Sequence, residues 1–436
     1  MRTKTTGGRK VNVVTLGCSK NIVDSENLMT QLVANDYKVK HDSDKRADIV
    51  IVNTCGFIDL AKEESVNTIL HYADAKKNGK LEKLYVTGCL SQRYKDNLEA
   101  EIPEVDAFFG TLEMPQLLAQ LNADYKHELI GERLITTPKH FAYLKISEGC
   151  NRTCSFCAIP LMRGQHISRS IESLVHEAKH LAKTGVKELI LIAQELTYYG
   201  LDLYKKRELP ALLTALNDVE GIEWIRLHYA YPSKFPTEIF DAMATLPKVC
   251  HYLDIPLQHA SNDVLKRMRR QITQAETVAL IETAKAKVPD IAIRTTFLVG
   301  FPGETEAEFE DLCAFVKKYE FDRVGVFQYS HEENTIAYEM LDDVPPEIKE
   351  ERASRIMEIQ QEISLKKNSE RVGKVMRVLF DKKEGGNFVG RTQYDSPEVD
   401  NEVLVTAKNN YIRLGDFANI KIMAAAEYDL IGEIVI

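Results

Sequence analysis

The chain has 436 residues, of which 44% are apolar and 28% charged, and its formal net charge is −9. This length suggests about two to four domains, and the composition is typical of a folded protein with a sizeable core, not of a disordered one. The negative charge favours small molecules or a basic protein as partners over naked nucleic acid. The amino terminus lacks an apolar stretch and no apolar run could span a bilayer, so we expect a cytoplasmic protein without membrane contact.

Three similar units open the chain, and each is a β-type apolar run that ends in a short turn with a cysteine at its tip. Helical patterns follow the first two units, at about residues 25–35 and 60–78. Alternating strands and helices predict a parallel sheet, here in an α/β domain over residues 10–125. Loops at the carboxyl ends of parallel strands converge on one crevice, so the three cysteines should meet in space. They are Cys18, Cys55 and Cys89.

A second, longer α/β region over residues 136–366 contains six predicted strands, separated by helical segments such as 171–184 and 304–319. Six β/α units are fewer than the eight of a closed barrel. We therefore expect an open, partial (β/α)6 barrel with its active site at the carboxyl ends of the strands. The predicted strands span residues 142–147, 188–193, 224–228, 252–256, 291–299 and 323–328.

The chain changes character after Pro345 and Pro346, which interrupt the pattern. A charged amphipathic helix is predicted over residues 347–371, with isoleucines along one side. Over residues 368–436 short β-type runs alternate with turns rich in Gly, Asn and Asp. This pattern predicts a third domain, a small antiparallel β-barrel.

The strongest chemical signal is the segment EGCNRTCSFC at residues 148–157, directly after a predicted strand. The spacing of Cys150, Cys154 and Cys157 lets a tight loop place three thiolates on one face of a 4Fe-4S cluster. The fourth iron then has no protein ligand and stays open to substrate. The alternative is a zinc site, but structural zinc normally takes four protein ligands, and His166 is the only histidine close by.

This motif, with an aromatic residue before its last cysteine, resembles the radical S-adenosylmethionine superfamily. The resemblance implies that Cys150, Cys154 and Cys157 hold the catalytic cluster and that the open iron binds S-adenosylmethionine. Its reductive cleavage then yields a 5′-deoxyadenosyl radical that removes hydrogen from carbon. The segment LVGFPGET after the fifth strand is similar to the glycine-rich segment of that superfamily. The expected cofactor contacts are Phe156, Gln194, Gly300, Gly303 and Glu304.

The three amino-terminal cysteines fit a second cluster with three thiolate ligands, whose free iron is a place to hold sulfide or methyl sulfide. The alternative is three buried free cysteines, which are common core residues. Their positions at loop tips favour the cluster. By contrast, Cys250 and Cys313 lie in apolar stretches and are expected in the core.

From end to end the chain resembles the methylthiotransferases, through segments such as TLGCSKN, VNTCGFI, VTGCLSQRY, VGFPGETE and AEYDLIG. The resemblance implies an amino-terminal cluster domain, a radical core and a C-terminal TRAM domain. It also implies two 4Fe-4S clusters, two molecules of S-adenosylmethionine per turnover, and an external electron donor and sulfur source. One molecule would methylate sulfur at the amino-terminal cluster, and the other would provide the radical that activates the target carbon.

Segments such as YLKISEGCN and LHYAYPSKFP are similar to the RimO-type branch, whose substrate is an aspartate of small-subunit ribosomal protein number twelve. The charge agrees with this, because residues 368–436 carry nine Lys or Arg against eleven Asp or Glu, and a barrel that grips tRNA should be basic. Tight nucleic-acid binding is therefore not expected. Two alternatives stay open: a MiaB-type tRNA adenosine methylthiotransferase, and a zinc-stabilised scaffold or RNA-binding module without catalysis.

Overall fold

The structure is a computed structural model that describes residues 8–129, 131–408 and 411–435. Residues 1–7, part of the stretch that argues against a signal peptide, lie outside the described residues, as do residues 409, 410 and 436 of the predicted third domain. Three units follow one another along the described chain: a parallel α/β sheet, an open β/α barrel and a small closed β-barrel.

The amino-terminal unit is a five-stranded parallel sheet with an apolar layer on each face. Its strands are β1 (Lys10–Thr15), β2 (Lys38–His41), β3 (Ile49–Thr54), β4 (Lys83–Gly88) and β5 (Ala107–Phe108). They lie in the order β2-β1-β3-β4-β5, and the central strand β3 is buried at every position. The helices of this unit are α1 (Ser19–Val33), α2 (Asp59–Lys77), α3 (Cys89–Glu101) and α4 (Met114–Gln120).

The predicted parallel sheet is confirmed, but the unit contains more elements than its apolar runs predict. Strand β2 has the sequence KVKH, is only half-buried and pairs at the edge of the sheet, whereas β5 is two residues long. Helix α3, after the third cysteine, carries few apolar side chains and is kinked at Tyr94. Elements this short or this polar leave little periodic signal in a sequence.

The middle unit contains six parallel strands in the order of the chain, which confirms the predicted open barrel. Its strands are β6 (Phe141–Lys145), β9 (Glu188–Ile192), β10 (Trp224–Leu227), β11 (Val249–Asp254), β12 (Ala292–Val299) and β13 (Arg323–Gln328), while β7 (Ser147–Glu148) and β8 (Ile167–Ser168) form a separate short pair. Its helices are α5 (Ile159–Arg163), α6 (Ile171–Lys183), α7 (Leu209–Asn217), α8 (Glu238–Thr245), α9 (Asn262–Arg267), α10 (Gln274–Lys287) and α11 (Glu306–Tyr319), followed by the connecting helix α12 (Pro346–Ser369). Within the described ranges, no helix combines the length and the apolar character needed to cross a membrane.

The six strands present two different faces, because successive side chains of a strand point to opposite sides. Leu189 and Leu191 of β9 pack in the large core under the outer helices, together with the predicted core residue Cys313. Ile190 and Ile192 face the concave side of the sheet, where they pack with side chains of β6 and with α1 of the first unit. The first unit therefore covers part of the opening of the partial barrel.

The C-terminal unit is a closed five-stranded barrel. Its strands are β14 (Val375–Glu384), β15 (Asn387–Arg391), β16 (Glu402–Thr406), β17 (Phe417–Ala425) and β18 (Asp429–Ile434). They lie in the order β14-β15-β16-β18-β17. Four of the pairings are antiparallel, as predicted, but β16 and β18 run parallel where the barrel closes. The apolar runs predict four strands in this domain, over residues 375–380, 401–407, 418–425 and 430–436. They do not include β15, because NFVGR is short and has little apolar alternation.

The loop at residues 392–401, between β15 and β16, leaves this barrel and packs against the concave face of the middle unit; we call it the inserted loop. Its carboxylates meet arginines that project from the strands, as in the bond from Arg323 Nε to Asp395 at 3.1 Å. Ser396 Oγ lies 2.9 Å from His228 Nε2, and Tyr252 donates to Asp400 at 2.7 Å. These groups are buried, so the inserted loop supplies hydrogen-bond partners that the concave face needs.

Candidate functional site

The Cys150, Cys154 and Cys157 loop lies between β7 and α5, at the carboxyl end of the first strand of the partial barrel. Backbone hydrogen bonds fix the loop at both ends: Cys150 donates to the Gly164 carbonyl at 3.0 Å, and Cys157 donates to that of Cys154 at 3.2 Å. Gly149 has φ of +72°, and a side chain there would strike the backbone of the segment that follows α5. The glycine of the EGC motif therefore allows the loop to close tightly.

The environment of these thiols suits an anionic cluster. Burial raises the pKa of Cys150 to about 11 and that of Cys157 to about 12. Arg270 donates to the sulfur of Cys154 at 3.5 Å, and the Tyr231 hydroxyl lies 3.6 Å from the same sulfur. Iron binding must displace protons from these thiols, and the buried guanidinium favours the negative charge that results.

The donor set fits a cluster better than a single ion. Among the described residues, no three His, Cys, Asp or Glu side chains converge tightly enough to hold one metal ion. A structural zinc would need about four ligands around one centre. In a cubane each thiolate binds a different iron, so its ligands are spread more widely around the group. The loop supplies three thiols, one fewer than a structural zinc would need, so a cluster at this loop stays a prediction.

The structure brings two of the predicted cofactor elements together. Phe156 packs against Phe301, which lies within the glycine-rich segment, with 6.3 Å between ring centroids. Gly300 and Gly303 both have positive φ, at +71° and +74°, so this turn depends on glycine. The segment therefore approaches the aromatic residue of the cysteine loop, and a cofactor contact of these residues stays a prediction.

The other two predicted contacts are engaged within the protein. Glu304 accepts hydrogen bonds from Arg352 at 2.9 Å and from the Phe301 amide at 3.3 Å, so it closes its own turn. Gln194 donates to Glu148 at 2.8 Å, while its Oε1 atom is buried and has no hydrogen-bond partner in the described part of the chain. A role in cofactor binding stays a prediction for both residues.

The three amino-terminal cysteines converge at the ends of their strands. Cys18 is exposed at the start of α1, whereas Cys55 follows β3 and Cys89 opens α3, and both of these are buried. A side chain on Gly17 would lie 2.9 Å from the Cys55 sulfur, which shows how closely the first loop approaches the second. Burial raises the pKa of Cys89 to about 12, the charge of Arg163 lowers it, and charges on Cys18 and Cys55 raise it further.

The two cysteine groups lie on either side of one interface. Cys89 packs against Ala158 and Met162, which belong to the segment directly after Cys157. The buried Arg163 joins both units, because it bonds to Asn21 of α1 and to Asp24 at 2.6 Å, and also reaches Glu148 at 3.4 Å. Lys145 bonds to Asp24 and Glu148 as well. Burial opposes ionisation of Glu148, but Lys145 and Arg163 together lower its pKa to about 2.

Family models match each of the three units. The model described as the radical SAM superfamily matches residues 144–316, and that of the TRAM domain matches residues 372–435. Residues 10–110 match an uncharacterized protein family, UPF0004. Membership of the radical SAM superfamily implies a 4Fe-4S cluster and S-adenosylmethionine as cofactors.

Curated relatives match the whole chain. A protein of Cytophaga hutchinsonii is 60% identical over 436 residues, with all of both chains covered, and one of Flavobacterium johnsoniae is 61% identical over 99% of this chain and its own full length. Both are named ribosomal protein uS12 methylthiotransferase RimO. The chain belongs to the RimO family of methylthiotransferases. A RimO relative of Phocaeicola vulgatus is 54% identical over 98% of this chain and 99% of its own, and the tRNA alternative is not favoured.

Solved structures show the same fold at low sequence identity. The methyltransferase TsrM of Kitasatospora setae superposes with a TM-score of 0.56 at 14% identity, over 73% of this chain and 72% of its own. The enzyme OxsB superposes with a TM-score of 0.55 at 12% identity, over 81% of this chain and 56% of its own. At these identities the similarity shows only that the fold is shared, and nothing about function.

Sequence reasoning did not identify several side chains around the cysteine loop. Arg152 bonds to Glu195 at 2.7 Å and stacks on Tyr231, with 3.8 Å from its guanidinium carbon to the ring centroid. Arg270 also lies over this ring, at 4.2 Å from its centroid, and bonds to Cys154. Glu195, Tyr231 and Arg270 lie outside the cysteine motif and far from it along the chain. Only the fold of this RimO family member therefore reveals that they contact Arg152 or Cys154.

Proposed function

We propose that this chain transfers a methylthio group to the β-carbon of an aspartate in small-subunit ribosomal protein uS12. The observation that carries the proposal is the match to RimO relatives at about 60% identity along the whole chain. The β-hydrogen beside a carboxylate is a poor acid, so a general base alone would not activate that carbon. Activation of the β-carbon therefore needs a radical. In this proposal the cofactor at the Cys150, Cys154 and Cys157 loop generates it, and the amino-terminal cysteine group holds the sulfur.

In this proposal Cys150, Cys154 and Cys157 would hold a 4Fe-4S cluster, which would bind S-adenosylmethionine and reduce it. When bound, the cofactor supplies the radical that removes hydrogen from the substrate carbon. Phe156 and the segment around Gly300 flank the cofactor, since they pack together beside the cysteine loop. Arg270 and Tyr231 contact the sulfur of Cys154 and shield it from solvent.

The second part of the proposal is a 4Fe-4S cluster on Cys18, Cys55 and Cys89, which holds the sulfur to be transferred. The convergence of these cysteines, the exposure of Cys18 and the buried guanidinium of Arg163 beside Cys89 support it. Two clusters account for two molecules of S-adenosylmethionine per turnover, one as methyl donor and one as radical source. In this proposal, turnover also uses an external sulfur source and an external electron donor.

The limits of the domains and the location of the enzyme belong to the same proposal. We place the cluster domain at residues 10–125, the radical core at 136–366 and the TRAM domain at 368–436. The ranges matched by family models fall inside these limits. A ribosomal protein as substrate supports a cytoplasmic location, where the eight cysteines could stay reduced.

Mass spectrometry of ribosomal protein uS12 tests the proposed function. We expect the protein from a strain without this gene to lack the mass of one methylthio group. Complementation with the wild-type gene should restore that mass, whereas Cys154→Ala should not, because it removes a ligand of the radical cluster. An unchanged mass in the deletion strain, with a methylthio group missing from tRNA instead, would favour the tRNA alternative.

A glycine substitution tests the cofactor segment. In Gly300→Ala the new side chain would clash with Lys349 in a turn with φ of +71°, so we expect affinity for S-adenosylmethionine to fall by about tenfold. Gly79→Ala is the matched control, because it has φ of +69° and open space around it. Equilibrium binding to the cluster-loaded enzyme measures both. Equal affinities of the two variants would contradict the predicted role of the segment.

A further inference from the structure

Lys20 lies where the amino-terminal unit meets the concave face of the radical core. It is the second residue of α1, two positions after Cys18, and only 7% of its surface is exposed. Val23, one turn further along α1, packs against Phe141 and Ile190 on the concave face of the partial barrel. This end of α1 therefore reaches the opening of the barrel between the two cysteine groups.

The ammonium group of Lys20 has no anionic partner. Its Nζ atom lies 3.1 Å from the centroid of the Tyr229 ring, and no hydrogen-bond acceptor or carboxylate accompanies it in the part of the chain that the structure describes. Lys145, also largely buried, shows the usual arrangement, since it pairs with both Asp24 and Glu148. A buried charge without a counter-charge is costly. The Lys20 ammonium group is therefore available to bind an anionic group of a ligand.

Tyr229, whose ring lies under the Lys20 ammonium group, has a strained backbone conformation. Tyr229 follows β10 at its carboxyl end and has φ of +63°, a conformation that residues other than glycine rarely adopt. Asp254 Oδ2 accepts a hydrogen bond from its amide at 3.0 Å, and Leu196 donates to its carbonyl at 3.2 Å, so the conformation is held from both sides. Strain of this kind is concentrated at functional sites.

Among the described residues, no neighbouring group forms an ion pair with Lys20. Asp254 is the nearby carboxylate of β11, but it pairs with Arg294 at 3.0 Å as well as with the Tyr229 amide. The hydroxyl of Ser19 is also buried without a hydrogen-bond partner among the described residues, so the first turn of α1 offers a second unsatisfied polar group. The Lys20 position lies at the strand ends where the substrate of a partial barrel is expected to bind.

We propose that Lys20 is the positioning residue that binds the carboxylate of the target aspartate through its buried, unpaired ammonium group. This inference rests on the proposed function, because the substrate carbon lies directly beside a carboxylate. The ion pair would hold that carbon between the sulfur site near Cys18 and the cofactor site near Cys154. It would also discriminate against asparagine, which carries no charge.

The test compares binding of purified uS12 to cluster-loaded wild-type enzyme and to Lys20→Met, a variant of similar length without charge. Loss of a buried charged contact predicts about a hundredfold weaker binding. Lys20→Arg should recover part of the loss. A substrate with Asn in place of the target Asp should bind the wild-type enzyme as weakly, and Lys20→Met should no longer distinguish the Asp and Asn substrates. Lys40→Met, on the exposed edge strand β2, is the control and should bind as the wild type does.

Three results would overturn the inference. Wild-type affinity of Lys20→Met for uS12, with the iron content of the wild type, would show that the ammonium does not contact the substrate. A loss of affinity for S-adenosylmethionine alone would assign Lys20 to the cofactor carboxylate. Failure of the wild-type enzyme to modify uS12 would overturn the proposed function together with the inference. If the wild-type enzyme does modify uS12, the first two results overturn the role of Lys20 alone.

Discussion

Replacing Cys55 by Ala should abolish thiomethylation of uS12 while 5′-deoxyadenosine is still formed. Cys55 is a buried member of the amino-terminal group and lies outside the Cys150, Cys154 and Cys157 loop, so its loss should leave the radical cluster intact. Iron should fall from about eight to about four atoms per chain, as expected when one of two cubanes is lost. Product analysis by mass spectrometry and iron determination on anaerobically reconstituted protein measure both effects.

Two further cysteine variants complete this experiment. Cys154→Ala should lose both deoxyadenosine formation and thiomethylation. Cys313→Ala should keep both, because Cys313 is a buried core residue of α11 outside the two groups. If Cys55→Ala yields as much thiomethylated uS12 as the wild type, the amino-terminal group does not deliver sulfur.

Glu188→Ala should lower the free energy of unfolding by about 3–5 kcal/mol, the usual effect of removing one partner from a buried ion pair. Glu188 is completely buried at the start of β9. It accepts a hydrogen bond from Arg226 at 2.8 Å and pairs with Arg391 of the C-terminal barrel. The substitution leaves Arg226 without a carboxylate partner among the described residues, whereas Arg391 keeps Asp381 at 3.0 Å. Urea unfolding followed by fluorescence suits this region, because the single tryptophan, Trp224, packs against Phe417 with 4.7 Å between the rings.

An exposed ion pair on the C-terminal barrel provides the control. Lys382 pairs with Glu384 at 2.7 Å, but both side chains are about half or more exposed. Pairs of this kind contribute at most about 1 kcal/mol, so Lys382→Ala should change the unfolding free energy little. A Glu188→Ala effect no larger than that of the control would mean that water or rearranged side chains satisfy the two arginines.

The main elements of the fold could be predicted because they carry strong local signals. The strands of the partial barrel are apolar runs separated by amphipathic helices, and residues 323–328 form a strand within the predicted limits. The edge strands β2 and β5, helix α3 and strand β15 were missed, since each is short, polar or half-exposed. The parallel closure of β16 on β18 depends on the route of the chain, which periodicity does not encode.

The candidate site could be predicted only where its chemistry is local. Cys150, Cys154 and Cys157 lie within one short segment, so their spacing indicates the cluster directly. The partner of Cys154, Arg270, is 116 residues away along the chain. Lys20 and Tyr229 are likewise joined only by the packing of α1 on the partial barrel. Such pairs follow from tertiary structure, and no sequence pattern marks them.

The inserted loop means that the C-terminal barrel is not an interchangeable module. Asp395 and Asp400 lie against Arg323 and Arg294 on the concave face of the core. A fragment that ends before residue 372 would therefore leave Arg323 without its carboxylate and Arg294 with Asp254 alone. Like charges gathered in a low-dielectric space repel one another. Chimeras that exchange this barrel for one of another protein should therefore need residues 392–401 of the native chain, and truncated cores should depend on added anions for solubility.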